Sequence, residues 1–166
     1  TAHQEDQHIQ SECGFFPKTV DLNHHTVSAI LVARVLHFLP GYEITNLLKQ
    51  AYKILMPGGR IFISTTSPYV KLLTSHIESY EQKESSDDIL WPGEIEDLRK
   101  YLPESDHKHN QSFGHVLTPK VLSKHLEKAG FKIISAKFST RKYQAMAQMT
   151  DPRYAGKEDT IVIAEK

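Results

Sequence analysis

Residues 28–66 read SAILVARVLHFLPGYEITNLLKQAYKILMPGGRIFISTT. Ser28 to Leu36 is apolar almost throughout. A continuous apolar run, rather than an alternating one, predicts a strand buried on both faces, as in a parallel sheet covered by helices. Pro40 and Gly41 interrupt the run. From Tyr42 to Leu55, Ile44, Leu47, Leu48, Ala51, Ile54 and Leu55 fall on one helical stripe, with Glu43, Asn46, Lys49, Gln50 and Lys53 outside it. Met56–Pro57–Gly58–Gly59 stops that helix, and Arg60 to Thr66 follows as a strand. Strand, helix and strand in this order make a βαβ unit with a right-handed crossover.

Downstream, Thr118 to Ala129 carries complete helix punctuation. Thr118 suits an N-cap, Pro119 the first turn and Gly130 a left-handed C-cap, with Leu122, Leu126 and Ala129 on one face. Phe131 to Ser139 and Thr160 to Ala164 read as strands. Between them, Thr140 to Asp159 reads as a polar loop. Residues 67–116 are polar and charged, with Trp91–Pro92–Gly93 in the middle. Two helices are expected there, one carrying Val70, Leu73, Ile77 and Tyr80, the other Ile95, Leu98, Tyr101 and Leu102. A segment of this length between a strand and a helix reads as an insertion over the sheet's edge, of the kind that forms lids and substrate walls. Upstream, Phe15 to Leu22 reads as a brief strand and Asn23 to Thr26 as a polar turn; residues 1–12 are unpatterned.

The whole chain of 166 residues fits one domain, with 39% hydrophobic and 24% charged residues. Lys+Arg and Asp+Glu are both 20, so the basic excess of a nucleic-acid binder is missing. Cys13 is the only cysteine, which excludes an intramolecular disulfide and a multi-cysteine metal site. No apolar run approaches the roughly 18 residues of a membrane helix, and the N-terminus lacks the apolar core of a signal peptide. A cytoplasmic location is therefore expected, without membrane or nucleic-acid partners.

The phrases Val35–Leu36–His37–Phe38–Leu39 and Leu55–Met56–Pro57–Gly58–Gly59–Arg60 resemble the fourth strand and the following helix end of class I, Rossmann-like S-adenosylmethionine-dependent methyltransferases. Thr118–Pro119–Lys120–Val121–Leu122 and Ala129–Gly130–Phe131 resemble that family's last helix and sixth strand. Thr160 to Ala164 matches its seventh strand. The resemblance covers about three quarters of the chain, in order. It implies an α/β fold whose sheet is mostly parallel with an antiparallel last strand, and S-adenosyl-L-methionine as cofactor. One departure stands out: the family's glycine-rich cofactor turn is absent. No Gly-x-Gly occurs, and Gly58–Gly59 is the only adjacent pair. Backbone must approach the ligand closely at that turn, which a Cβ would block. The first strands are therefore expected to lie outside this chain, which would be the C-terminal part of a truncated domain.

What the resemblance implies residue by residue is as follows. Asp21 and Leu22 stand where the family's acidic position after the third strand meets the adenine; for Asp21 the alternative is a turn residue capping a strand end. Ala33, Arg34 and Val35 stand at the carboxyl end of the fourth strand, where open α/β sheets bind ligands. His37 is a candidate general base, its ordinary pKa being near ~6.5; the alternative is a structural histidine. For Arg34 the alternative is a sheet-edge arginine paired with a carboxylate. Tyr69 and Trp91 are candidates to line a substrate pocket, against the alternative that they pack the insertion onto the sheet. His24–His25 and His107–His109 lack ligand spacing, so no metal is expected.

The expected full-length activity is methyl transfer to a small-molecule acceptor. The competing class is a non-catalytic methyltransferase-like binding or interaction module. A dinucleotide oxidoreductase shares the sheet but also needs the missing glycine-rich turn. With its first strands absent, the sheet edge is expected to invite a homodimer.

Overall fold

The computed structural model describes residues 13–18, 23–86, 88–101, 112–140 and 152–166. Its main sheet has four strands: β1 (Val27–Ala33), β2 (Leu55–Thr66), β5 (Lys132–Ser139) and β6 (Asp159–Glu165), in the spatial order β1-β2-β6-β5. β1 and β2 are parallel, in a register that pairs Ile30 with Ile61 and Val32 with Ile63. β6 runs antiparallel to both of its neighbours, β2 and β5. The last strand in sequence is thus inserted, reversed, between β2 and β5.

Helix α1 (Gly41–Ile54) joins β1 to β2 and buries Ile44, Leu47, Leu48, Ala51 and Ile54, the stripe predicted from sequence. Beyond it, β2 begins at Leu55 and already includes the Pro57–Gly58–Gly59 run. Two different demands explain the paired glycines. Gly58 has φ +76°, a conformation that side chains resist. Gly59 packs against β1, and a Cβ there would stand 3.1 Å from the Ser28 carbonyl oxygen.

Helix α3 (Pro119–Lys128) has the predicted ends. Thr118 caps it by accepting from the Val121 N–H. At its other end Gly130 has φ +106°, and the Phe131 N–H closes back on the Leu126 carbonyl at 3.0 Å. The two helices lie on one face of the sheet, over Val32, Ile61, Ile63, Val162 and Ala164. Leu36, Ile44, Leu48, Leu122 and Leu126 complete this core with no exposed surface.

The opposite face is only partly covered. Leu31 is 73% exposed, and Phe62 and Ile163 beside it in register are half-buried. The expectation of a first strand buried on both faces therefore fails. Among the described residues β1 has a neighbour on one side only, so its apolar outer residues meet solvent.

The remaining elements belong to the segment between β2 and α3. A 3-10 turn (Lys71–His76) runs into α2 (Ile77–Glu84), with a kink at Leu73. The expected second helix does not form. Instead Glu94–Ile95 is a short strand, β3, paired antiparallel with β4 (Gly114–His115), and residues 98–101 make a single 3-10 turn. The reason lies at Gly93: a Cβ there would lie 1.7 Å from the Val116 carbonyl oxygen, and the Val116 N–H donates to the Gly93 carbonyl. Such close backbone pairing selects strand over helix. Leu73, Tyr80, Ile95 and Val116 form a second, smaller core.

Phe15 to Lys18 do not form the start of a strand; Phe16–Lys18 make a turn, with Phe15 exposed. Residues 19–22, and with them Asp21 and Leu22, lie outside the described residues, as do His107 and His109.

Candidate active site

β1 ends at Ala33, which is exposed, and the chain then turns sharply. Arg34 adopts φ +58°, a left-handed conformation that costs a non-glycine residue free energy. Its N–H still donates to the Ser64 carbonyl at 2.9 Å, so the β1–β2 ladder holds up to the bend. The guanidinium reaches across β2 to the Asp159 carboxylate at the start of β6, Nη1 to Oδ1 at 2.6 Å. Val35 is 42% exposed. A 3-10 turn, Leu36–Phe38, follows, with the His37 ring packed against Phe38 at 3.9 Å between centroids. Ala33, Arg34, Val35 and His37 therefore form one continuous rim at the carboxyl end of β1.

Two residues of the β3–β4 pair hold the chain just beyond this rim, at Leu39 and Gly41. Glu94 accepts from the Gly41 N–H at 2.6 Å, placing a carboxylate at the positive N-terminus of α1. His115, fully buried, contacts the Leu39 carbonyl through Nδ1 at 2.9 Å. A carbonyl can only accept, so Nδ1 carries the hydrogen. Burial lowers the imidazole pKa and keeps the ring neutral, which leaves Nε2 a buried acceptor without a hydrogen-bond partner among the described residues.

Trp91 belongs to the same assembly. It stacks on His125 at 3.5 Å and 8° and meets His115 edge-on at 5.3 Å. It also lies directly on Gly41, where a Cβ would come within 2.1 Å of its ring. Tyr69 is elsewhere. It is buried beyond the carboxyl end of β2, donates its hydroxyl to Glu81 at 3.1 Å and stacks on Tyr154. The two aromatic residues named together from sequence thus occupy different places, Trp91 near the β1 rim and Tyr69 towards β5. Burial and the Glu81 carboxylate both push the Tyr69 phenol well above its ordinary pKa.

His24 and His25 stand in an exposed turn, where His25 Nδ1 meets Lys166 Nζ at 3.1 Å. Sequence reasoning missed Glu94, His115 and Asp159. Glu94 looked like one of a charged run, and His115 and Asp159 carry no local pattern that announces a partner in a distant element.

No protein-family model and no curated protein matches this chain. Solved structures do. An S-adenosylmethionine-dependent methyltransferase from Mesorhizobium loti superposes with a TM-score of 0.55 and 16% identity, over 89% of this chain and 66% of its own. One from Methanosarcina mazei gives a TM-score of 0.55 and 13% identity, over 89% and 63%. The fold is that of S-adenosylmethionine-dependent methyltransferases. A third structure of this fold is the 1,6-didemethyltoxoflavin-N1-methyltransferase of Burkholderia thailandensis, with 1,6-didemethyltoxoflavin and S-adenosylhomocysteine bound; it matches at a TM-score of 0.52 and 18% identity, over 89% of this chain and 47% of its own. The chain spans two thirds or less of the length of these methyltransferase-fold structures.

In a methyltransferase fold the cofactor lies across the carboxyl ends of the strands, at the point where strand order reverses. At the carboxyl end of β1, Ala33 is small and exposed, Val35 gives apolar surface and the chain bends at Arg34. The sequence holds no glycine-rich turn.

Proposed function

We propose that this chain is the C-terminal part of a domain that transfers a methyl group from S-adenosylmethionine to a small-molecule acceptor. The observation that carries the reading is the placement of β6, reversed, between β2 and β5. An ordinary dinucleotide-binding sheet has no such strand.

The exposure of Leu31, and the single neighbour that β1 has among the described residues, support the second half of the proposal. An apolar strand left unpaired on one side is costly and prone to association. Further strands beside β1, bearing the glycine-rich turn, would cover it and supply the missing wall. Ala33, Val35 and, from outside the described residues, Asp21 and Leu22 would then face the cofactor.

When bound, the cofactor supplies an electrophilic methyl on a sulfonium. The protein's share is position and exclusion of water. Arg34, tied to Asp159, fixes the bend of the rim. His37, on the turn that follows, is the candidate to take a proton from the acceptor. The segment 67–116 would choose the acceptor, because Glu94 and His115 fasten its hairpin to the rim at Gly41 and Leu39. A small acceptor is favoured by the balanced charge, with Lys+Arg and Asp+Glu both 20.

Calorimetric titration with S-adenosylmethionine tests this. No binding by the chain alone, with micromolar binding by the chain joined to whatever its reading frame encodes upstream, is the expected result. Micromolar binding by the chain alone would refute the shared site. No binding by either would favour the non-catalytic module.

A further inference from the structure

Towards the β5 margin of the sheet, three aromatic rings converge under the Lys157 ammonium, and the Arg153 guanidinium lies over one of them, Tyr154, at 5.3 Å. Tyr69 stacks on Tyr154 at 4.9 Å and 10°, and meets Phe138 of β5 edge-on at 5.5 Å and 71°. The Lys157 ammonium stands 5.3 Å from the Tyr69 centroid, 5.8 Å from that of Phe138 and 5.8 Å from that of Tyr154. All three distances fall within the roughly 6 Å over which a ring quadrupole attracts a cation.

The box does not depend on the lysine side chain. The Tyr69 hydroxyl is held by Glu81, and the Tyr69 N–H donates to Ser67 Oγ at 3.1 Å. Ser67 Oγ in turn donates to the Lys157 carbonyl, and the Lys157 N–H donates to the Tyr154 carbonyl at 3.1 Å. The backbone around Lys157 is therefore pinned without its side chain.

The lysine also fits the box poorly. A primary ammonium carries three N–H donors and is strongly hydrated. Ring faces attract its charge but leave those donors wanting acceptors, and among the described residues no carboxylate pairs with it. A fully alkylated ammonium has no donor to satisfy and loses little hydration. It suits three ring faces better than the group now there. Adjoining the box is a cleft of about 290 Å³, lined by the same Tyr69 and Phe138 together with Thr118, Glu84, Lys120 and Lys137. The Glu84 carboxylate is held in place by the Thr118 and Tyr80 hydroxyls, where it offsets part of the positive charge that the two lysines bring to the cleft wall.

We propose that Tyr69, Phe138 and Tyr154 form a binding site for a small molecule bearing an alkylated ammonium, whose body lies in the adjoining cleft and whose entry displaces the Lys157 side chain. The site does not require the methyl-transfer reading. β5 and β1 are opposite edges of the sheet, three strand spacings or about 14 Å apart.

The test is saturation-transfer NMR with tetramethylammonium and with choline, against sodium chloride at equal ionic strength. The unmodified chain should transfer saturation to the N-methyl protons, with upfield ring-current shifts. Lys157→Ala, which removes the cation shared by the three rings, should bind about tenfold more tightly. Tyr154→Leu should abolish the effect. Circular dichroism reports whether each variant folds. A folded Lys157→Ala chain with no N-methyl signal overturns the proposal. If that variant does not fold, the unmodified chain decides: no signal, or a signal that a folded Tyr154→Leu chain retains, overturns it equally. Because the probe is not the methyl donor, failure here leaves the reading of the β1 rim standing.

Discussion

Arg34 and Asp159 meet at 2.6 Å across the top of β2, joining the end of β1 to the start of β6. The pair links the bend of the rim to the reversed strand that distinguishes this sheet. It is partly exposed, at 43% and 17% for the two side chains, so its direct contribution to stability is no more than about 1 kcal/mol. The backbone tells more. At φ +58° an alanine keeps the strain and loses the pair, whereas a glycine loses the pair and sheds the strain. Arg34→Gly should therefore be more stable than Arg34→Ala by about 1 kcal/mol, as measured by urea unfolding. The reverse order would mean that Arg34 is not left-handed.

Gly93→Ala should disrupt the hairpin. A methyl group there would stand 1.7 Å from the Val116 carbonyl oxygen, a clash with backbone that no rotamer relieves. We expect a loss of about 2–4 kcal/mol and a change in the near-ultraviolet circular dichroism of Trp91, the only tryptophan. Gly114→Ala is the control. Its added carbon would meet the Leu98 side chain at an ordinary 3.4 Å, and it should cost under about 1 kcal/mol.

Stability should fall on mild acidification. Burial lowers the pKa of His76, His115 and His125 from the ordinary value of about 6.5. Below that value the unfolded chain takes up protons that the folded chain refuses. The folded state thus keeps its full stability above pH ~6.5 and loses it progressively as pH falls towards the depressed folded values. Denaturant midpoints from pH 7.5 down to 5 should show this slope. In His115→Gln the slope should be shallower, since one refusing group is gone.

Leu31→Lys should make the chain less prone to self-association. The residue is 73% exposed on an open strand edge, and a charge there opposes edge pairing. Sedimentation velocity should show the parent chain heavier than a monomer at high concentration and the variant monomeric. A parent that stays monomeric throughout would remove the expected homodimer.

The β1–α1–β2 unit and both ends of α3 were legible because their signals are local: an apolar stripe at helical period, a threonine cap, a glycine at the exit. The reversed strand entered through resemblance, since nothing in Thr160 to Ala164 alone states its direction. What the sequence hid depends on distant partners. Ile95, Leu98 and Tyr101 carry helical spacing, yet Gly93 meets the Val116 backbone and a hairpin forms. The apolar run from Ser28 to Leu36 reads as doubly buried, yet one face of β1 stands open. Tyr69 and Trp91 look equivalent as exposed-segment aromatics, but one packs under Lys157 and the other on Gly41.

A cofactor is expected to meet the rim that β1 raises beyond the sheet. Amide hydrogen exchange across Ala33–Leu39 addresses it most directly, in the chain joined to its upstream sequence, with and without S-adenosylhomocysteine. Slower exchange at Ala33, Arg34 and Val35 on addition of the ligand, with β5 unchanged, is the predicted result. Identical exchange at that bend under ligand concentrations that saturate binding would contradict it.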